Sequence, residues 1–244
     1  MPLSSPNRST LVPDFAHPLT RHSSRRVALS LAVGLAAGAF TLIVRPDDSA
    51  AQKKTGPAEV PIEELMKQGD LPDVSVLGPA NAKVTVVEYG SMTCGHCANF
   101  ATKVFPDFKT KYIDSGKVRF IFREFPLDDL AAAGSILARC AGPDKTFPMI
   151  ETLYAKQADW AFSSGNPVPK LFDIAKQAGF TQETFDKCLK DQNLLNQITA
   201  ARARASDVLG VSSTPTFFIN GKRLQDVPTV AAFDKLIEPL LAPK

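Results

Sequence analysis

The chain has 244 residues, 44% of them hydrophobic and 22% charged, which suits one globular domain of ordinary size plus appendages. The formal charge is +3, but the first 51 residues hold five Arg against three acids, so the remainder is close to neutral and gives no basic footprint for nucleic acid. All four cysteines lie beyond position 90, so their meaning depends on the compartment the chain reaches.

Residues 27–44, VALSLAVGLAAGAFTLIV, pass without a charge, after Arg21, Arg25 and Arg26 and before Arg45. A basic flank followed by an apolar run is the pattern of export. Ser49-Ala50-Ala51 offers small side chains for signal peptidase, with cleavage before Gln52. The alternative is retention as a single anchor, because the run reaches the short limit of a membrane span. Ser24-Arg25-Arg26 is also weakly similar to a twin-arginine signal, with Leu29 in place but Ala28 where Phe is usual. The expected organisation is a signal peptide or anchor over 1–51 and a linker with a short helix over 52–72. Either outcome for the leader puts the cysteines outside the cytosol.

PIEELMKQ opens with Pro61 at a first helical turn, followed by acids. A loop with a possible edge strand leads to VTVVEYG, residues 84–90, β-branched and apolar like a buried strand. From Cys97 to Tyr112 the spacing of Phe100, Val104, Phe108 and Tyr112 predicts a helix, bent at Pro106. VRFIFREF, 118–125, predicts a second strand. A helical block follows, punctuated by Gly142, Gly179 and Gly210, with Thr181 as an N-cap. PTFFING then predicts a strand turning at Asn220-Gly221, KRLQD a short return strand, and TVAAFDKLIEPLLA a closing amphipathic helix. Strand–helix–strand must cross over into a parallel pair, and the hairpin adds antiparallel strands. The result is an α/β chain with a mixed sheet interrupted by a helical block.

The sequence EYGSMTCGHC, 88–97, places Cys94 and Cys97 where the first strand gives way to a helix. Unpaired N–H groups at that helix start stabilise an anion, and the thiolate is the reactive form of cysteine. His96 stands between the two sulfurs, where its imidazole is expected to lower the Cys94 pKa further. Gly95 lets the turn close. Cys97, one turn deeper, is expected to resolve a mixed disulfide formed at Cys94. Glu88 lies in the apolar strand, and two readings stay open. In one it is a buried acid that takes the Cys97 proton; in the other, strand alternation turns it to solvent or to a Lys. Thr214-Pro215 precedes the later strand, leaving an edge that an extended substrate could join; an ordinary trans turn proline is the competing reading.

Zinc needs four ligands, and His17 and His22 lie in the leader, so no metal site is expected. Haem attachment needs His after the second Cys, where Ala98 stands. Cys140 and Cys188 both fall on apolar helical faces. In an oxidising compartment a bridge between them is the simplest expectation, inert buried thiols the alternative.

EYGSMTCGHC, the helix after it, the helical insertion and GVSSTPTFFINGK together resemble the DsbA-like branch of the thioredoxin superfamily, over about residues 70–244. The resemblance implies a thioredoxin fold with an inserted helical domain: 73–125 and 211–244 forming the thioredoxin part and 126–210 the insertion. It implies that Pro215 is cis and, with Thr214, meets substrate, that Cys94 is nucleophile and Cys97 resolving thiol, that Glu88 is the buried acid, and that Cys140 and Cys188 form an extra disulfide. Gly95-His96 departs from the Pro-His of the best-known member and matches protein disulfide isomerase, which leaves the potential open. The implied function is an exported thiol:disulfide oxidoreductase with no cofactor. It would oxidise unfolded or reduced exported proteins in the periplasm, or from an inner-membrane anchor facing it, and be reoxidised by a membrane quinone-linked partner. The alternatives are an isomerase or reductase, and a redox-independent anchored chaperone. A monomer is expected, since little chain lies between Gln52 and the fold to build the dimerising region of an isomerase.

Overall fold

The computed structural model describes residues 56–243. The expected leader, its cleavage point and the start of the linker lie outside the described residues.

Five strands form one sheet: β1 (Val76–Leu77), β2 (Val84–Gly90), β3 (Val118–Glu124), β4 (Thr216–Ile219) and β5 (Lys222–Arg223). Their spatial order is β1-β3-β2-β4-β5. β2 and β3 run parallel, with Val86 opposite Phe120 and Glu88 opposite Phe122. β4 lies antiparallel on the other side of β2, and β1 closes the far edge antiparallel to β3. The mixed sheet expected from the element order is therefore present. The return strand is shorter than KRLQD suggested. Only Lys222 and Arg223 pair with β4, after a turn in which Asn220 (φ 46°) and Gly221 (φ 92°) are both left-handed. Gly221 is required there twice over, since a Cβ would also stand 2.2 Å from the Val60 carbonyl oxygen. The segment before α1 (Ile62–Met66) covers this edge: Val60 N–H donates to the Gly221 carbonyl and Arg223 N–H to that of Ala58. Pro61 is the N-cap of α1 rather than a residue of its first turn.

Strand alternation divides β2 between two cores. Val87 and Tyr89 join Val60, Leu65, Ile121 and Phe218 on one face of the sheet. Val84 and Val86 face the larger core with Phe100, Phe105, Phe108, Phe120 and Phe217. Glu88 has the parity of Val84 and Val86. A side chain of that parity enters the larger core, which sets up the site below.

The helix after β2 is built of α2 (Gly95–Asn99), a π-helical turn at Phe100–Val104, α3 (Phe105–Phe108) and a second π-helical turn at Lys109–Ile113. Pro106 falls in the first turn of α3. A proline has no N–H to donate and its ring crowds the carbonyl one turn back. The widened turns on either side absorb that defect.

Between β3 and β4 come α4 (Asp129–Cys140), α5 (Pro143–Ala155), α6 (Gln157–Trp160), α7 (Val168–Gln177), α8 (Gln182–Leu189) and α9 (Gln192–Asp207); α10 (Val230–Leu241) ends the fold. Asp128, Thr181, Asp191 and Thr229 cap α4, α8, α9 and α10 through their side chains. Gly142 and Gly179 fall in the breaks between helices, and Gly210 follows the end of α9 before β4, all three with left-handed main chain. A disulfide joins Cys140, the last residue of α4, to Cys188 of α8. Two buried ion pairs tie helices and loops to β3. Arg139 of α4 is bidentate on Glu124 at 2.6 and 2.9 Å, and Arg123 is bidentate on Asp73 at 2.8 and 2.9 Å.

Candidate active site

The site begins where β2 stops. Gly90 ends the strand, and a Cβ there would stand 2.4 Å from the Phe122 ring and 2.9 Å from the Tyr154 hydroxyl. Only glycine lets those two side chains close over the strand end. Ser91, Met92 and Thr93 form the turn, and Cys94 follows as the N-cap of α2 in an extended conformation (φ −83°, ψ 115°).

Cys94 and Cys97 are both free thiols here, and their settings differ. Cys94 is 8% exposed and Cys97 is fully buried. The Cys97 main-chain N–H donates to the Cys94 sulfur at 3.4 Å. The Cys94 Sγ also lies 3.3 Å from the carbonyl oxygen of Thr214, to which its S–H donates. Thr214 precedes Pro215 through a cis peptide bond. The two segments that the sequence singled out, 120 residues apart, therefore meet at one sulfur.

These contacts drive the two thiols apart. The Cys94 pKa is lowered to about 5. The largest cause is a hydrogen bond from the Cys97 thiol; the main-chain N–H groups of Cys97 and His96 add to it, against burial. Burial pushes the Cys97 thiol far up, helped by its hydrogen bond to Cys94 and by the negative charges of Glu88 and Cys94. At neutral pH one sulfur is ionised and its neighbour holds its proton, an unequal division suited to nucleophile and resolving thiol.

Glu88 is 3% exposed, and of the two readings open in the sequence the structure has the buried one. Its Oε1 has no hydrogen-bond partner among the described residues. Burial holds its proton well above the usual carboxylate range, and the Cys94 charge adds to the effect. His96 differs from expectation. Its side chain is exposed, and no hydrogen bond among the described residues involves its ring; it acts on Cys94 through its main-chain N–H. A residue at the second position of a helix points its side chain outward while its N–H points back along the axis.

Three further groups hold the turn, and none was singled out in the sequence. Gln157, buried at the start of α6, donates its carboxamide to the Met92 and Cys94 carbonyls at 2.8 and 3.0 Å. The Tyr154 hydroxyl donates to the Ser91 carbonyl at 3.2 Å. Thr93 donates to Asp128 at 2.7 Å, and the same carboxylate caps α4 through the Ala131 N–H at 2.7 Å. Tyr154 follows the apolar Leu153, a faint sign of an internal partner, whereas Gln157 stands between Lys156 and Asp159 and gives no such sign. Among the described residues no cluster of side chains is arranged to hold a metal ion.

A mixed sheet with helices on its faces, a C-x-x-C at the head of the helix after its central strand and a cis-proline facing it define a dithiol protein of the thioredoxin-like class. Comparison with known proteins agrees. The family model described as thioredoxin matches residues 71–239. A Rickettsia bellii protein described as a protein-disulfide oxidoreductase is 36% identical over 166 residues, covering 67% of this chain and 64% of its own. The chain spans 56% to 69% of the length of the Rickettsia relatives it matches. Disulfide bond formation protein D of Bacillus subtilis is 30% identical over 173 residues, covering 68% of this chain and 74% of its own. Among solved structures, Wolbachia pipientis alpha-DsbA1 superposes with a TM-score of 0.66 at 28% identity, covering 72% of this chain and 94% of that one. The chain belongs to the thioredoxin family, in its DsbA-like branch.

Proposed function

We propose that the chain is an exported thiol:disulfide oxidoreductase that introduces disulfides into unfolded proteins. The observation that carries this reading is the contrast between the two sulfurs: Cys94 keeps a narrow opening to solvent (8% exposed) and is lowered to about 5, while Cys97 is fully buried with its proton held tightly. A client thiolate attacks the Cys94 sulfur of the oxidised pair. The Cys94–Cys97 bond breaks, and Cys97 leaves with the electron pair and takes a proton from the Glu88 carboxyl. A second client thiolate then attacks the client sulfur of the mixed disulfide, and Cys94 leaves as a stabilised thiolate. The client loses two electrons and the pair gains them. Because the thiolate is stabilised, the reduced form is favoured and the disulfide is a strong oxidant.

The roles follow from position. Cys94 is nucleophile, Cys97 is resolving thiol, and Glu88 gives and takes the Cys97 proton. Thr214 and Pro215 lie beside the reacting sulfur, where an extended client can pair with the main chain. Cys140–Cys188 is structural. The basic and apolar leader supports export to the periplasm, as a cleaved protein or an anchored one, and a membrane quinone-linked protein is the expected acceptor of the two electrons. No helix among the described residues is long and apolar enough to cross a membrane. The test is oxidative refolding of reduced ribonuclease by the purified, oxidised protein. Disulfides should enter the client with the wild type and not with Cys94→Ser; equal rates for the two proteins would end the proposal.

A further inference from the structure

Gln157 links the helical segment to the reactive turn. α5 ends at Ala155, and Lys156 leaves helical geometry (φ −103°, ψ 13°) before α6 restarts at Gln157. This break aims the Gln157 side chain back toward the end of β2. Its carboxamide is buried and donates to two carbonyls, those of Met92 and Cys94, on either side of Thr93. The Cys94 carbonyl already accepts the Ala98 N–H at 3.1 Å, so Gln157 is its second donor.

Two physical consequences follow. A carbonyl oxygen near a thiolate presents its negative end to a negative charge, and an N–H₂ group across two such oxygens offsets them. The same two bonds hold the main chain that carries Cys94, and so hold the sulfur where the Cys97 N–H and the Thr214 segment reach it. A network of this kind in a water-poor site acts more strongly than its separate bonds.

We propose that Gln157 is a positioning residue for the reactive pair, through which the helical segment sets how readily the Cys94 thiolate forms. The inference rests on Cys94 being the nucleophile. It goes further in placing part of the control of its reactivity outside the C-x-x-C turn, on α6.

The charged and titratable groups that face Cys94 are Cys97, Glu88 and Tyr154, all three buried. None of these is altered by a change at Gln157, which makes the substitution a clean probe. Gln157→Leu removes both donors at similar volume. Gln157→Glu keeps the volume but, once ionised, sets a charge against both carbonyls. The experiment follows thiolate absorbance in the ultraviolet against pH for the wild type and both variants, with thermal melts of each.

The expected result is a Cys94 titration shifted upward by about one unit in Gln157→Leu, a tenfold change in ionisation constant, and at least as far in Gln157→Glu. Melts that remain cooperative show that the shift belongs to the native site. Unshifted titrations in both folded variants, with the wild type titrating near 5, would overturn the role of Gln157 alone. A wild type that titrates like a free cysteine would instead remove the reading of Cys94 on which it rests. Should Gln157→Leu fail to fold, Gln157→Met, which keeps the flexible stem, adds no charge and also lacks both N–H donors, decides the question by the same titration.

Discussion

Replacing Cys94 by serine should change how stability depends on pH, by an amount the site itself sets. In the folded, reduced protein Cys94 titrates at about 5; in the unfolded chain a cysteine titrates at about 8.5. A depressed folded pKa means that the unfolded chain binds more protons between those values. The stabilisation is therefore complete above about pH 8.5 and is lost as pH falls through about 5. Between pH 4.5 and 7 the difference corresponds to nearly two units, or about 2.6 kcal/mol. Partial contact of the sulfur with water reduces this to about 2 kcal/mol. The assay is urea unfolding of reduced wild type and Cys94→Ser across that range. Groups common to both proteins cancel, so the wild-type advantage should grow by about 2 kcal/mol toward pH 7, which is a midpoint shift of about 1 M at an m-value of about 2 kcal/mol/M. A difference that stays flat with pH would refute the assignment of a stabilised thiolate to Cys94.

Three other outcomes can be checked. Glu88→Leu should stabilise the protein at neutral pH by about 2 kcal/mol, because it removes a buried carboxyl with an unpaired oxygen. A raised folded pKa contributes stability below the unfolded value that is lost as pH rises, so the gain should shrink toward pH 4 in melts, while Cys97-dependent exchange slows about 100-fold. Replacing Cys140 and Cys188 together by alanine opens a cross-link spanning 48 residues and should lower unfolding free energy by about 4 kcal/mol by calorimetry or urea titration, without abolishing the reactivity of Cys94. Arg139→Met leaves the Glu124 carboxylate buried and alone and should cost about 3 to 5 kcal/mol, whereas changing both residues to apolar ones of like volume should recover much of the loss.

How much of this was legible in the chain itself depends on how local each cause is. The run VTVVEYG carries its own strand signal, and the C-x-x-C after it marks the helix start, so β2 and the reactive turn were readable from neighbouring residues. Gly142, Gly179 and Gly210 mark helix breaks because left-handed main chain favours glycine wherever it occurs. The side of the sheet taken by Glu88 was open, because alternation gives parity but does not say which face meets the larger core. Gln157 was invisible for a related reason: its partners are the carbonyls of Met92 and Cys94, more than 60 residues away in sequence, and no local pattern encodes them. The π-helical turns around Pro106 answer a strain that pattern can locate but not resolve into geometry. Adjacency in sequence suggests an imidazole beside the thiolate, whereas the helix directs the His96 ring to solvent and leaves only its N–H toward the sulfur.

The reduction potential of the Cys94–Cys97 pair, measured by equilibration with glutathione, tests the proposed chemistry most directly. Thioredoxin, whose reactive cysteine titrates near 7, lies at about −270 mV. Two further units of thiolate stabilisation correspond to about 60 mV, so this pair should lie at roughly −210 mV or above. A potential at or below that of thioredoxin would contradict the oxidising role assigned to the site.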